Sequence, residues 1–329
     1  MENKNPLLAL QNCTFPIWGE AKELQPLFDY IRSQSKSKKP LLISGFDCQA
    51  HGKYVMESFE QDFSNYLDSK NLKFTDPTEK MFFFKTFNAF LFGKGYDIKN
   101  KSYQDKLQIW DSLKKERPQF VAILDTKISE LSKLKESRAK LFRQFLVSIK
   151  NYLPQTLFYN AIDKSNKNIS QNLRDSLMAE NLMWLANEYY PKQKIIVWAA
   201  SYHLAKHKTI GYGNLIETLM GDFIRRELDT KTYTISFTAY EGNIGRFNAK
   251  DSTILPKPSE NSLEHLFNQT GKENFFLDLK TNSKSEKGKW LLEPSFMRPL
   301  GYVSQKKSWP LVFDAVIFTK TMRRVHSIE

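Results

Sequence analysis

"KIIVWAASYHLAKHK", residues 194–208, decides how this chain is read. Ile195, Ile196, Val197 and Trp198 make an apolar run short enough to be one buried strand. Just ahead of it, "QNLRDSLMAENLMWLANEYYPKQK" predicts a helix. Met178, Leu182, Leu185 and Tyr189 recur at i, i+4, i+7 and i+11, forming one apolar stripe, and Pro191 ends it. A helix, a short loop and a strand in that order have the texture of a parallel sheet. Just past the strand the chain turns small and polar, and His203 follows. Open α/β sheets bind ligands outside the carboxyl ends of their strands, so His203 stands where a working residue would.

Working outward, "LLISGFD" predicts a second buried strand over 41–47, with Asp47 and Gln49 at its end. "TYTISFTAY", "NFFLDL" and "FDAVIFTK" predict three more strands toward the C-terminus. An amphipathic helix is expected over 20–35, where Leu24, Leu27, Phe28 and Ile31 share a face. The stretch 54–159 differs in texture: it is rich in phenylalanine, lysine and helix formers, and no strand-like run bounded by turn signals stands out. The expected fold is a three-layer α/β core with a mostly parallel sheet and a long helical insertion. Residues 1–53 would form the first part of the core, 54–159 the insertion, and 160–329 the remainder. "LLISGFD", "KIIVWAA", "TYTISFTAY" and "FDAVIFTK" would lie in one sheet.

Hydrophobic residues make up 41% and charged residues 26%, which places the chain among globular proteins rather than disordered ones. The net charge is +13, carried mostly by scattered lysines, without an RNA-binding aromatic signature or a helix-turn-helix pattern. A solvated lysine-rich surface accounts for it, and no nucleic-acid partner is expected. No apolar run approaches the roughly 20 residues that span a bilayer, so no membrane partner is expected. The first residues lack the apolar core of a signal peptide, which points to the cytoplasm. Cys13 and Cys48 form no CxxC pair, which argues against a disulfide framework or a zinc site.

Each polar residue near the strand ends admits a structural reading beside the functional one. His203 is either a pocket histidine or a loop histidine kept for hydrogen bonding. With His207 it makes H-x-x-x-H, a spacing that can hold a metal, but no third ligand stands nearby and no metal is expected. His51 follows the "GFDCQ" strand end and reads as a surface-loop residue. Asp47 and Gln49 are placed to contact a ligand or to cap the following helix. Arg174 either reaches the pocket or forms an internal ion pair. Arg298, in "FMRPLGY", either binds an anionic or polyhydroxylated ligand or pins its loop.

"RDSLMAENLMWL" followed by "KIIVWAASYH" resembles the erythromycin esterase family, whose members carry R-D-x-x-M-A-x-N-x-x-W-L and then W-A-H-N-x-H. "FPIWGEAKELQPLFDYIR", "LLISGFDCQ", "MGDFI", "FMRPLGYV" and "FDAVIFTKTMRR" resemble other family segments in the same order, from Phe15 to Arg324. The resemblance implies cofactor-free hydrolysis of an ester or lactone bond in a small molecule, macrolide lactones being the family's known substrates. It implies His203 as the surviving active-site histidine, and Asp47, Gln49, Arg174 and Arg298 remain the candidate substrate contacts beside it. Two departures bear on activity. The family's H-N-x-H reads Ala200, Ser201, Tyr202, His203 here. The strand ending in G-E-x-x-H-G that opens the family's sequence, and the acidic strand after it, are expected to fall ahead of Met1. Two expectations follow: an esterase-like hydrolase with an incomplete or inactive catalytic set, or a ligand-binding or partner-dependent protein without catalysis.

Overall fold

The computed structural model describes residues 11–50, 52–92, 102–160, 167–206, 209–210, 216–246 and 253–328. The chain divides into two compact units. One holds residues up to Gly19 and Phe28–Gln193; the other holds Glu20–Leu27 and Lys194–Glu329.

The first unit is helical. Helix α1 (Gln25–Gln34) enters it at Phe28, and α2 (Lys53–Glu57), α3 (Phe59–Ser69), α4 (Pro77–Phe92), α5 (Tyr103–Ser132), α6 (Ser137–Asn160) and α7 (Lys167–Trp184) follow. Helix α5 starts with a reciprocal cap: Ser102 accepts from the Asp105 amide and Asp105 accepts from the Ser102 amide. The phenylalanines that mark this stretch meet in one core. Phe59 stacks on Phe63 and Phe87 at 5.2 and 5.0 Å, and Phe83 lies 5.2 Å from Phe120. Large flat side chains bury much apolar area per residue, which lets these helices close without a sheet. Lys127 is buried here, and its ammonium donates to the carbonyls of Leu72 and Lys73 and to Glu130.

The second unit holds the described strands. Short pairs join β1 (Thr209–Ile210) to β2 (Ile216–Glu217) and β6 (Ser295–Met297) to β7 (Gln305–Lys307). The main sheet runs β4 (Thr253–Leu255), β3 (Ile235–Ile244), β8 (Ala315–Met322), β5 (Asn274–Asp278). Its pairing is mixed, which corrects the expectation of a mostly parallel sheet. Only β3 and β8 are parallel; β4 returns antiparallel along β3, and β5 lies antiparallel along β8. One face, with Ser236, Thr238, Val316 and Phe318, is buried. Helix α10 (Leu263–Gln269) covers it, with Phe267 at 5.2 Å from Phe275 and 5.6 Å from Phe318. On the other face Phe237, Ile317 and Phe276 stand in one cross-strand row, and the two phenylalanines are exposed.

The expectation that "LLISGFD" and "KIIVWAA" share this sheet is also corrected. Residues 41–47 belong to the first unit and 194–200 to the second, and neither run joins a ladder among the described residues. Both lie outside the helices and strands of the described residues. Ladder pairing needs a hydrogen-bonded neighbour, and no described strand pairs with either run. No described helix is long and apolar enough to cross a membrane.

Candidate functional site

The first unit gathers polar side chains where the apolar run 41–47 ends. The Arg174 guanidinium donates from Nη2 to Oδ2 of Asp47 at 2.5 Å and from Nε to Oδ1 at 3.3 Å. Burial works against the charge on Arg174, but the Asp47 carboxylate outweighs it and holds the guanidinium above its ordinary value. Asp47 also accepts the Gln49 amide at 3.0 Å, which closes a turn and aims the Gln49 side chain. That side chain donates to the Tyr152 hydroxyl of α6 at 3.3 Å. Burial pushes the Tyr152 hydroxyl up to about 12, so it stays protonated at neutral pH. Cys48 between them is buried, and desolvation raises its thiol well above the usual range, so it is inert as a nucleophile.

Asn181 ties this turn to the helices. Its amide donates to the Phe46 carbonyl at 3.0 Å and to Ser148 at 2.9 Å, and it accepts from Gln144 at 2.9 Å. Sequence reasoning passed over Asn181 and Tyr152. The signal for Asn181 was present: it is a polar residue inside the stripe of Met178, Leu182 and Leu185, at i+3 from Met178. A polar group on a buried stripe needs partners, and here it finds three. Tyr152 gave no such signal, because tyrosine suits a helix core without any polar role.

The second unit holds His203. It lies in the short helix α8 (Ser201–Leu204), entered from Ala200 in extended conformation, and its amide donates to the Ala200 carbonyl at 3.0 Å. The imidazole is half-buried and meets the Tyr202 ring edge-on at 5.7 Å. The chain after α8 is clamped. Ala205 is fully buried, the Lys206 amide donates to Val312 at 3.1 Å, and Arg225 Nε donates to the Lys206 carbonyl at 2.9 Å. The segment "MGDFIRR" supplies that clamp from α9 (Met220–Leu228), where Asp222 is buried between Arg225 and Arg226.

Arg298 lies in the same unit and is 4% exposed. Its guanidinium donates to the carbonyls of Ala239 at 2.9 Å, Tyr240 at 2.8 Å and Pro256 at 2.6 Å. Beside it, Glu264 accepts from the Arg298 amide at 2.9 Å and from Thr238 Oγ1 at 2.5 Å. The structure thus brings Asp47, Gln49 and Arg174 together in one unit and places His203 and Arg298 in the other. His51 and His207 lie outside the described residues. Among the described residues no group of three or more His, Cys, Asp or Glu side chains is arranged to hold a metal ion.

Comparison with known proteins places these elements. The erythromycin esterase family profile matches residues 2–322. A putative hydrolase of Bacillus subtilis (strain 168), YbfO, is 25% identical over 334 residues, covering 97% of this chain and 72% of the relative. The crystal structure of a succinoglycan biosynthesis protein matches with a TM-score of 0.70 at 18% identity, covering 97% of this chain and 77% of that one. A mutant of erythromycin esterase EreC, in its open conformation, matches with a TM-score of 0.57 at 18% identity, covering 93% and 73%.

Proposed function

Because this chain belongs to the erythromycin esterase family, we propose that it is a hydrolase-type protein that binds a small-molecule ester or lactone and turns it over weakly, with His203 as its base. In such hydrolysis the base takes a proton from water, the hydroxide adds to the carbonyl carbon, and the ester C–O bond breaks as the leaving alkoxide regains a proton. The oxyanion formed on the way needs a donor. The observation that carries the weak-turnover reading is Ala200 at the mouth of the His203 turn. A methyl group neither accepts a proton nor donates one, so the turn offers one imidazole where the family offers two. One positioned base contributes about 10²- to 10⁴-fold.

Gln49 and the Asp47–Arg174 pair are proposed as ligand contacts. The pair is partly exposed, and Gln49 is held by Tyr152 rather than free to rotate. Arg298 is assigned to its loop instead, because each of its nitrogens already serves a carbonyl. Macrolide lactones are the first substrates to try, and the cytoplasm is the compartment that goes with this reading.

The test uses purified residues 1–329 with p-nitrophenyl acetate and a macrolide lactone, beside His203→Ala and Ala200→His. Near-background hydrolysis in the wild type, macrolide binding by calorimetry, and a gain in Ala200→His are expected. Robust macrolide hydrolysis that disappears in His203→Ala would overturn the weak-turnover reading. Absence of both binding and hydrolysis would overturn the ligand assignment.

A further inference from the structure

Four side chains from elsewhere in the first unit hold the segment 44–49. Ser44 Oγ lies 3.0 Å from the Tyr190 hydroxyl, the Phe46 carbonyl accepts from Asn181 at 3.0 Å, Asp47 accepts from Arg174, and Gln49 donates to Tyr152. Arg174 and Asn181 stand seven residues apart on α7, which puts them on one face about 10 Å apart along the axis. Of these four ties, the Asn181 bond alone grips the main chain. The other three hold side chains, which turn about their own bonds without moving the backbone. The Phe46 carbonyl belongs to the planar peptide unit that ends at the Asp47 Cα, so holding that oxygen fixes the plane from which Asp47 departs.

Asn181 is itself fixed. It is 8% exposed, its second amide hydrogen goes to Ser148 at 2.9 Å, and its oxygen accepts from Gln144 at 2.9 Å. Turning the amide over would set its oxygen against the Phe46 carbonyl, where neither atom donates. Its bonds also divide by purpose. Those to Ser148 and Gln144 join α7 to α6, which is what helix packing asks of a buried polar residue. The bond to Phe46 adds nothing to that joint; it serves the turn that carries Asp47 and Gln49.

We propose that Asn181 is a positioning residue of the ligand site: through the Phe46 carbonyl it sets where the Asp47–Arg174 pair and the Gln49 side chain meet a ligand. This rests on the reading of those groups as ligand contacts; Asn181 touches no ligand itself.

The test takes the bonds apart in the full chain at pH 8. Asn181→Asp, ionised, keeps an oxygen for Gln144 and accepts from the Ser148 hydroxyl, but offers the Phe46 carbonyl no hydrogen. Asn181→Ala removes all three bonds without placing a charge, and serves if the carboxylate unfolds the helices. Ser148→Ala cuts a bond between α6 and α7 and leaves the Phe46 bond in place. The first readout is exchange of the Gln49 amide hydrogen, which is bonded to Asp47 Oδ1, followed by NMR. The second is macrolide affinity by calorimetry, with Gln49→Ala completing a double-mutant cycle. Both are taken where circular dichroism shows the variants folded. In the Asn181 variants Gln49 exchange should quicken and affinity fall, each about tenfold, the size of one net hydrogen bond. Ser148→Ala should lower Tm and leave both readouts as in the parent. The affinity losses of Asn181→Asp and Gln49→Ala should be less than additive, as for groups acting through one another. Unchanged Gln49 exchange in the Asn181 variants would overturn the proposal. So would an equal change in Ser148→Ala, or strictly additive losses of affinity. A parent chain that binds no macrolide would overturn the ligand reading instead, and the exchange rates would then decide the positioning role by themselves.

Discussion

The ammonium of Lys206 sits 2.8 Å from Oδ1 of Asp314, with side-chain exposures of 11% and 1%. Asp314 is shared: Lys280 approaches the same oxygen at 3.4 Å, and the Thr234 amide donates to Oδ2 at 2.7 Å. The pair joins the residue three positions after His203 to the residue that leads into β8. It is thus the charge contact that fixes the His203 turn on the sheet of its own unit. Removing one partner of a buried pair leaves the other charge uncompensated, at about 3–5 kcal/mol. Asp314→Ala is expected to lower stability by about that amount, within that range. Lys206→Met should cost much less, because Asp314 keeps Lys280 and the Thr234 amide. Urea unfolding of both variants checks the order; equal losses would show that Asp314 acts through packing rather than charge.

Gly221 of α9 packs against the same turn. A Cβ at this position would fall inside the van der Waals envelope of the Leu204 and Ala205 carbonyls, which are backbone and cannot swing aside. Gly221→Ala should therefore displace α8 from α9. The expected result is a loss of stability of about 1–3 kcal/mol, the range for overpacking, together with a shift of the His203 imidazole resonances in the NMR spectrum. An unmoved His203 signal in a destabilised variant would separate the turn from the glycine contact.

The helices of the first unit were legible because periodicity is a local signal: the apolar stripe of α7 and the run of phenylalanines between α3 and α6 are visible residue by residue. That 41–47 and 194–200 are not helical was legible for the same reason. Their lack of ladder partners was not, since pairing depends on what lies beside a strand in space, and an apolar run reads alike whether it is central or open. The mixed order of the sheet was hidden too, because β4 is only three residues long and its direction is set by the return from β3. In the site, Asp47 and Gln49 could be picked from the strand end, yet the partners that hold them, Arg174 and Tyr152, come from helices about a hundred or more positions away.

Arg298 shows the same limit in one residue. A loop arginine in sequence reads as an exposed ligand contact or a loop pin, and its three carbonyl partners come from β3 and from Pro256. A lysine carries the charge but presents a single nitrogen where the guanidinium presents three. Arg298→Lys should lose about 1–3 kcal/mol for a carbonyl left unpaired, seen as a fall in Tm. Ligand affinity at a temperature where the variant stays folded should be unchanged. A loss of affinity without a loss of stability would return Arg298 to the substrate.

Glu264 gives the second unit a dependence on pH. The side chain is fully buried, and Oε2 finds no hydrogen-bond partner among the described residues, although Oε1 accepts from Thr238 and from the Arg298 amide. Burial raises the carboxyl above its ordinary value, and the Thr238 and Arg298 hydrogen bonds only partly oppose this. A carboxyl whose folded value lies above its unfolded value binds protons more tightly in the folded state. Its contribution is therefore fully present below the unfolded value, about 4.3, and is lost as pH rises through the folded value. Glu264→Gln keeps an oxygen for Thr238 and the Arg298 amide and cannot ionise. Thermal unfolding of both proteins between pH 4 and pH 8 should show the wild type losing ground to Glu264→Gln as pH increases, with the smallest gap in favour of the variant at the acidic end. Parallel curves across that window would mean that Glu264 ionises in the folded chain as it does in the unfolded one, and the pH dependence would have to come from another group.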